Sequence, residues 1–133
     1  MVTSCFYGCP RGLRQGDPLS LILFLIMIEE SGGAGLIGGF KANGRRGDGV
    51  CVSHLLFAND TILFCDADME QILHIRMLFI CFQAVTSLKV NVRKSEMVPI
   101  GAVDNVHVLA RPLGFWVGNV PISYLGMPLG ASH

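Results

Sequence analysis

The first candidate for chemistry in this chain is a carboxylate at the tip of a short turn. Phe57-Ala58-Asn59-Asp60 lies between Ser53-His54-Leu55-Leu56 and Thr61-Ile62-Leu63-Phe64. An apolar run enters a polar break and an apolar run leaves it, which predicts a β-hairpin. A carboxylate on a rigid turn between buried strands is well placed to hold a catalytic metal ion. Asp60 supplies the charge there; the amide of Asn59 offers one neutral oxygen. An ordinary turn accounts for the same pair, because Asn and Asp are common turn residues.

A second candidate lies upstream, in Arg11-Gly12-Leu13-Arg14-Gln15-Gly16-Asp17-Pro18-Leu19-Ser20. Arg11 and Arg14 are cations beside a Gly12–Gly16 loop that leads into a helix start, with Asp17 as N-cap and Pro18 in the first turn. Backbone N–H groups and the helix dipole at such a place suit a phosphate. Composition alone favours the plainer alternative, a capped helix with solvated arginines. Three shorter matches are set aside. Gly33-x-Gly35-x-x-Gly38 has the spacing of a dinucleotide fingerprint but no convincing helix after it. Asn59-Asp60-Thr61 is a glycosylation sequon without signs of secretion. Asp66, Asp68 and Glu70 are explained by a capped helix start more simply than by a calcium loop.

The elements that must position these groups form a mixed α and β order. Residues 1–10 read as a short apolar entry, strand or loop. A helix over Leu19–Glu30 is apolar on nearly every side and is expected to be buried. The glycines from Gly32 to Gly39 end it, and 40–49 reads as a polar loop. Val50–Phe57 and Thr61–Asp66 are the expected hairpin strands. Asp68 opens a second helix, with Gln71 three residues on as in a capping box. Ile72, Ile75, Phe79 and Phe82 recur at helical spacing to about Val85. Short strands follow over Leu88–Val92 and Glu96–Ile100, then a short helix from Asp104 to about Arg111, stopped by Pro112. A last hairpin turns about Gly126, between Ile122–Leu125 and Met127–Leu129.

Composition bounds the function. The 133 residues suffice for one small domain, and they are 51% hydrophobic and only 15% charged. The mean hydropathy, +0.53, is high for a free-standing soluble domain. The longest apolar stretch, Leu21–Ile28, is far shorter than the ~18–20 residues a membrane span requires. A core piece of a larger assembly is therefore expected rather than a membrane protein. Ten basic and ten acidic residues give a net charge of zero, which argues against strong independent nucleic-acid binding. The five cysteines are odd in number and lack a C-x-x-C pair. Reduced thiols and an intracellular location, nucleus or cytoplasm, are expected, with no secretion. Cys51, Cys65 and Cys81 lie in apolar segments and read as small core residues. His54, His74 and His107 lack zinc-like spacing to them.

Four segments, in this order, resemble the reverse transcriptase of non-LTR (LINE-type) retrotransposons as found in plant genomes: 11–20, 57–60, 87–96 and 121–130. The resemblance runs from Arg11 to Gly130. It implies an α+β fold, the palm of a right-hand polymerase, with an antiparallel sheet carrying the 59–60 hairpin and helices 18–30 and 69–85 behind it. Residues 1–133 would form a partial palm, with the fingers and the strand bearing the first catalytic Asp absent upstream. It implies RNA-directed DNA polymerase ancestry, with an RNA template, a DNA primer, deoxynucleotides and Mg²⁺. Arg11, Arg14, Gln15, Gly16 and Asp17 would contact template and nucleotide. Asn59 stands where the family has the main metal-binding Asp, leaving Asp60 as the metal ligand. Lys94 would be the acid toward the leaving pyrophosphate. Tyr124, Leu125 and Gly126 fall in the primer-grip hairpin. Leu21 and Ser87 replace a family Pro and Gly. Two functional expectations follow: a non-catalytic remnant, at best a weak interaction module, or an active polymerase as part of a longer polyprotein. Asn59 and the missing partner carboxylate favour the remnant for this chain alone.

Overall fold

A computed structural model describes the backbone of residues 2–10, 18–43, 47, 49–57, 60–86, 88–119, 122–124 and 127–129. The elements are, in order, β1 (Val2–Pro10), α1 (Pro18–Gly33), β2 (Phe40–Asn43), β3 (Gly49–Val52), β4 (His54–Phe57), β5 (Asp60–Cys65), α2 (Met69–Thr86), β6 (Leu88–Val90), β7 (Glu96–Pro99), α3 (Val106–Ala110), β8 (Trp116–Val117), β9 (Ile122–Tyr124) and β10 (Met127–Leu129). A 3₁₀ turn, Val92–Lys94, joins β6 to β7. The chain is thus mixed α and β, with a small, mainly antiparallel sheet.

The sheet is organised around β1, which the sequence suggested only as a short entry. On one edge β1 pairs antiparallel with β5, from Val2↔Cys65 to Tyr7↔Asp60. Its other edge is shared: β7 takes Val2–Cys5 and β6 takes Gly8–Pro10, both antiparallel. The 3₁₀ turn lies between these two short partners. β4 extends the sheet beyond β5, and β8 runs parallel to β7 through Glu96↔Trp116 and Met97↔Val117. Val2-Thr3-Ser4-Cys5-Phe6-Tyr7 is rich in β-branched and aromatic residues, which suit a strand paired on both sides.

The expected strand 50–57 is in fact two strands in two sheets. Residues 49–52 form β3 and pair with β2 in a separate ribbon, from Phe40↔Val52 to Asn43↔Gly49. Residues 54–57 form β4 and pair with β5. The break falls at Ser53, whose carbonyl still accepts from Phe64 N–H at 2.9 Å while its hydroxyl lies 2.8 Å from His54 Nδ1. The presence of β2 also corrects the reading of 40–49 as loop throughout.

α1 runs three residues past Glu30, through two glycines, before a Schellman cap closes it. Leu36 N–H donates to Ser31 C=O (2.9 Å) and Gly35 N–H to Gly32 C=O (3.1 Å), with Gly35 at φ +74°. Only a residue tolerant of positive φ fits there. α2 buries Ile72, Ile75, Leu78, Phe79 and Phe82, which includes all four positions expected from the spacing. These residues meet Phe24 and Ile28 of α1, Leu63 and Cys65 of β5, Met97 of β7 and Leu109 of α3. Phe24 packs edge-on to Phe82 with ring centroids 5.0 Å apart.

Burial departs from expectation on the outer helix faces. Ile22 and Ile26 of α1 are about half exposed, at 50% and 53%. α1 packs on α2, with Phe24 against Phe79 and Phe82, and an all-round apolar sequence leaves the Ile22–Ile26 stripe uncovered. Leu73, Met77 and Ile80 form a similar exposed stripe on α2. Cys51 and Cys81 are exposed; only Cys65 of the three is core.

Candidate functional site

The hairpin tip is built by register. β4 and β5 pair from His54↔Leu63 to Phe57↔Asp60, so Asp60 is the first residue of β5 and the last rung of the ladder. Its other neighbour, across β1, is Tyr7. The whole of β1 contains no Asp or Glu, so the strand beside the hairpin offers no second carboxylate. Asn59 lies outside the described residues, and for Asp60 only the backbone is described.

Arg11, Arg14, Gln15, Gly16 and Asp17 also lie outside the described residues. The structure gives their flanks: Pro10 ends β1 opposite Leu88, and Pro18 begins α1. Lys94 ends the 3₁₀ turn, exposed, with its N–H donated to Asn91 C=O at 3.1 Å. β1 brings this segment toward the hairpin tip. Tyr7 faces Asp60 on one edge while Gly8 faces Val90, four residues before Lys94, on the other. Asp60 and the approach to Lys94 therefore share one end of the sheet. Tyr124 lies in β9, paired with Met127 of β10; Leu125 and Gly126 between them are outside the described residues.

The structure also shows a polar clasp that spacing alone misassigned. Gln71 Oε1 accepts from Asp66 N–H and from Gly38 N–H, each at 2.9 Å, and Gln71 Nε2 donates to Asp66 Oδ2 at 3.0 Å. The expected capping box would have sent Gln71 back to Asp68. Asp68 instead caps Glu70 N–H through Oδ1 (3.3 Å). The clasp ties the loop after α1 to the junction of β5 and α2. A side chain at Gly38 would run into the Asp66 carboxylate. Gly38 has no signal in the sequence, because its reason lies across the fold.

Two Ser–His pairs invite comparison with an activated nucleophile, and neither is one. Ser31 Oγ donates to Met27 C=O at 2.7 Å, so His74 Nε2, 2.9 Å away, is the donor to Ser31 rather than its base. Ser53 Oγ reaches His54 Nδ1, but Glu29 Oε1 stands 4.0 Å from His54 Nε2, too far for the hydrogen bond that would orient a base. Burial, followed by the charge of Asp66, pushes the Cys65 thiol up to about 12. It is a core group rather than a reactive one.

Mg²⁺ coordination asks for anionic oxygens in octahedral array. By sequence, position 59 supplies a neutral amide and position 60 one carboxylate, and the residue paired with Asp60 on β1 is Tyr7. Among the described residues no group of three His, Cys, Asp or Glu side chains could hold a metal ion. No described helix is long and apolar enough to cross a membrane. Comparison of the chain with known protein families and with curated proteins gives no match to either.

Proposed function

We propose that the chain derives from the palm of a LINE-type reverse transcriptase and lacks polymerase activity by itself. The observation that carries this reading is the ordered set of four motifs, 11–20, 57–60, 87–96 and 121–130. Supporting it, the 57–60 motif falls at the closed end of an antiparallel hairpin, and β1 draws the 87–96 segment toward the same end. Against catalysis stand Asn59 and the carboxylate-free β1. A nucleotidyl transfer through two metal ions needs charge on both sides of the reacting phosphate, and Asp60 alone supplies one unit. RNA template and DNA primer would be the ancestral partners, held weakly if at all by this chain, inside the cell and away from membranes.

The test is primer extension on an RNA template with Mg²⁺ and deoxynucleotides. The expected product is none. Extension that requires Mg²⁺ and vanishes in Asp60→Ala would overturn the inactive reading. The second reading, an active polymerase within a longer polyprotein, draws on the retained Asp60 and the complete Phe57↔Asp60 pairing. Transcript sequencing across the Met1 codon tests it. An open frame continuing upstream into an Asp-bearing strand would favour it.

A further inference from the structure

α1 and α2 lie side by side and run in opposite directions. Ser31, near the end of α1, meets His74, near the start of α2, with Oγ and Nε2 2.9 Å apart. Phe24, earlier on α1, meets Phe79 and Phe82, later on α2, with ring centroids 6.5 and 5.0 Å apart. The Ser31–His74 rung therefore sets the level of every other residue on the pair, at about 1.5 Å per residue. Inward, Phe24 and Ile28 of α1 and Ile72, Ile75, Phe79 and Phe82 of α2 are buried. Outward, Ile22 and Ile26 of α1 and Leu73, Met77, Ile80 and Val85 of α2 are between 46% and 70% exposed.

Single exposed apolar residues are ordinary, but a patch of roughly 300–600 Å² or more marks an interaction site. Six side chains about half in water reach that range, on the order of 500 Å². The helix edges and polar rim around them bring the face toward the ~800 Å² that each partner gives to a standard interface. The charges say what covers it. Glu29 lies two residues before Ser31 and Arg76 two after His74, so they stand level on the two helices. Both are exposed. Arg76 has no ion-pair partner among the described residues, and the Glu29 carboxylate, 71% exposed, comes only within 4.0 Å of His54. Ile26, five residues before Ser31, is level with position 79, between Met77 and Ile80. Ile22, nine before, is level with position 83, between Ile80 and Val85. A two-fold axis parallel to the helices lays α1 of one copy over α2 of another, still antiparallel and with every level unchanged. Each Glu29 then stands level with Arg76 of the second copy, and Ile22 and Ile26 with its Met77, Ile80 and Val85. An unrelated partner has no reason to match these levels; a second copy matches them by symmetry.

We propose that the chain forms a two-fold dimer through this face, an antiparallel four-helix bundle with Ile22, Ile26, Met77 and Ile80 at its centre and Glu29–Arg76 pairs at its rim. Antiparallel neighbours with apolar side chains inside are the ordinary packing of such a bundle. The apolar centre supplies most of the affinity. The rim pairs are exposed and contribute little each, but they fix the orientation of one copy on the other. The face belongs to the two helices alone and holds whatever the ancestry of the chain.

Sedimentation equilibrium of the full chain, from about 0.1 to about 100 μM, spans the range in which an interface of this size dissociates. A monomer–dimer equilibrium that goes no further than two copies is expected. Met77→Glu places a charge at the centre of the face and is expected to weaken the dimer at least about 10-fold. Arg76→Glu, and separately Glu29→Arg, should each weaken it about 3-fold to 30-fold, because symmetry removes two exposed pairs at once. The double variant Glu29→Arg/Arg76→Glu restores opposite charges and is expected to recover most of that loss. All three positions are exposed in the monomer, so the far-UV circular dichroism should not change; if it does in Met77→Glu, Ile26→Gln carries the same test. A monomer at every concentration overturns the proposal. So does a dimer indifferent to Met77→Glu, association that continues past two copies, or a double variant no tighter than the single ones.

Discussion

The two ends of charge in this molecule are treated differently by the fold. Around 66–71 the polar groups are spent internally. Asp66, Gln71 and the Gly38 backbone bond one another, and Asp68 caps α2. Around 107–116 the side chains of His107, Arg111 and Trp116 are exposed on a backbone held by a glycine cap, where Phe115 N–H donates to Ala110 C=O, and by Ser95 C=O, which accepts from Trp116 N–H. The first region uses charge to fix a junction between β5, α2 and the loop after α1. The second uses backbone bonds to hold side chains in water. A cluster of acidic residues is thus the scaffold here, and a stretch with no recognisable motif leaves its charged and aromatic side chains in water.

That contrast is broken most forcefully in the core beneath the acidic junction. Ile72→Ala, at a position with no exposure at the start of α2, is expected to cost about 2–5 kcal/mol, read as a lower urea midpoint with an unchanged slope. Gln71→Ala removes the clasp and leaves the N–H groups of Gly38 and Asp66 without their acceptor. The site is partly exposed, so water recovers some of the loss, and a cost of about 1–2 kcal/mol is expected by the same measurement. If Gln71→Ala proves neutral, the acidic end is not scaffold and the contrast collapses. At the end of α3, exposed Arg111→Gln should stay within about 0.5 kcal/mol of the wild-type stability, as exposed substitutions do; a larger loss would make Arg111 structural.

Cys65 sharpens the same comparison by pH. Its thiol is raised from 9.0 to about 12, chiefly by burial. A folded-state value above the unfolded one means the contribution is whole below about 9 and is lost as pH climbs toward 12. The urea midpoint should therefore fall more steeply over pH 9–12 in the wild type than in Cys65→Ala. Alkylation of the native chain at pH 8, read by mass spectrometry, should label the exposed Cys51 and Cys81 before Cys65.

Local signals were legible in the sequence where they were also decisive. The β4–β5 hairpin follows from two apolar runs about a polar break, and α2 from the spacing of Ile72, Ile75, Phe79 and Phe82. The short strand Glu96–Pro99 and the last hairpin also lie where their apolar runs ended. What escaped was set by distant partners. Nothing near residues 2–10 says that three strands will pair with them. The change of sheet at Ser53 depends on whether 40–43 or 60–65 captures the strand. Exposure of Ile22, Ile26, Cys51 and Cys81 depends on which side of each element is covered. Of the candidate site, the hairpin that carries Asp60 was readable, but Asp60 begins β5 opposite Phe57 rather than lying in the turn. The clasp through Gly38 was not readable, because it joins residues that the chain brings together only after several reversals.

The central position of β1 has a consequence for how the chain is made. Its partners are Asp60–Cys65, Leu88–Val90 and Glu96–Pro99, so it leaves the ribosome roughly fifty to a hundred residues before they do. At about 5–20 residues per second, a β-prone segment waits several seconds with both edges open. Such a strand is a template for pairing with another copy of itself. The topology that completes the sheet therefore exposes both edges of β1 during synthesis, and the soluble yield should fall as synthesis is slowed between codons 10 and 99.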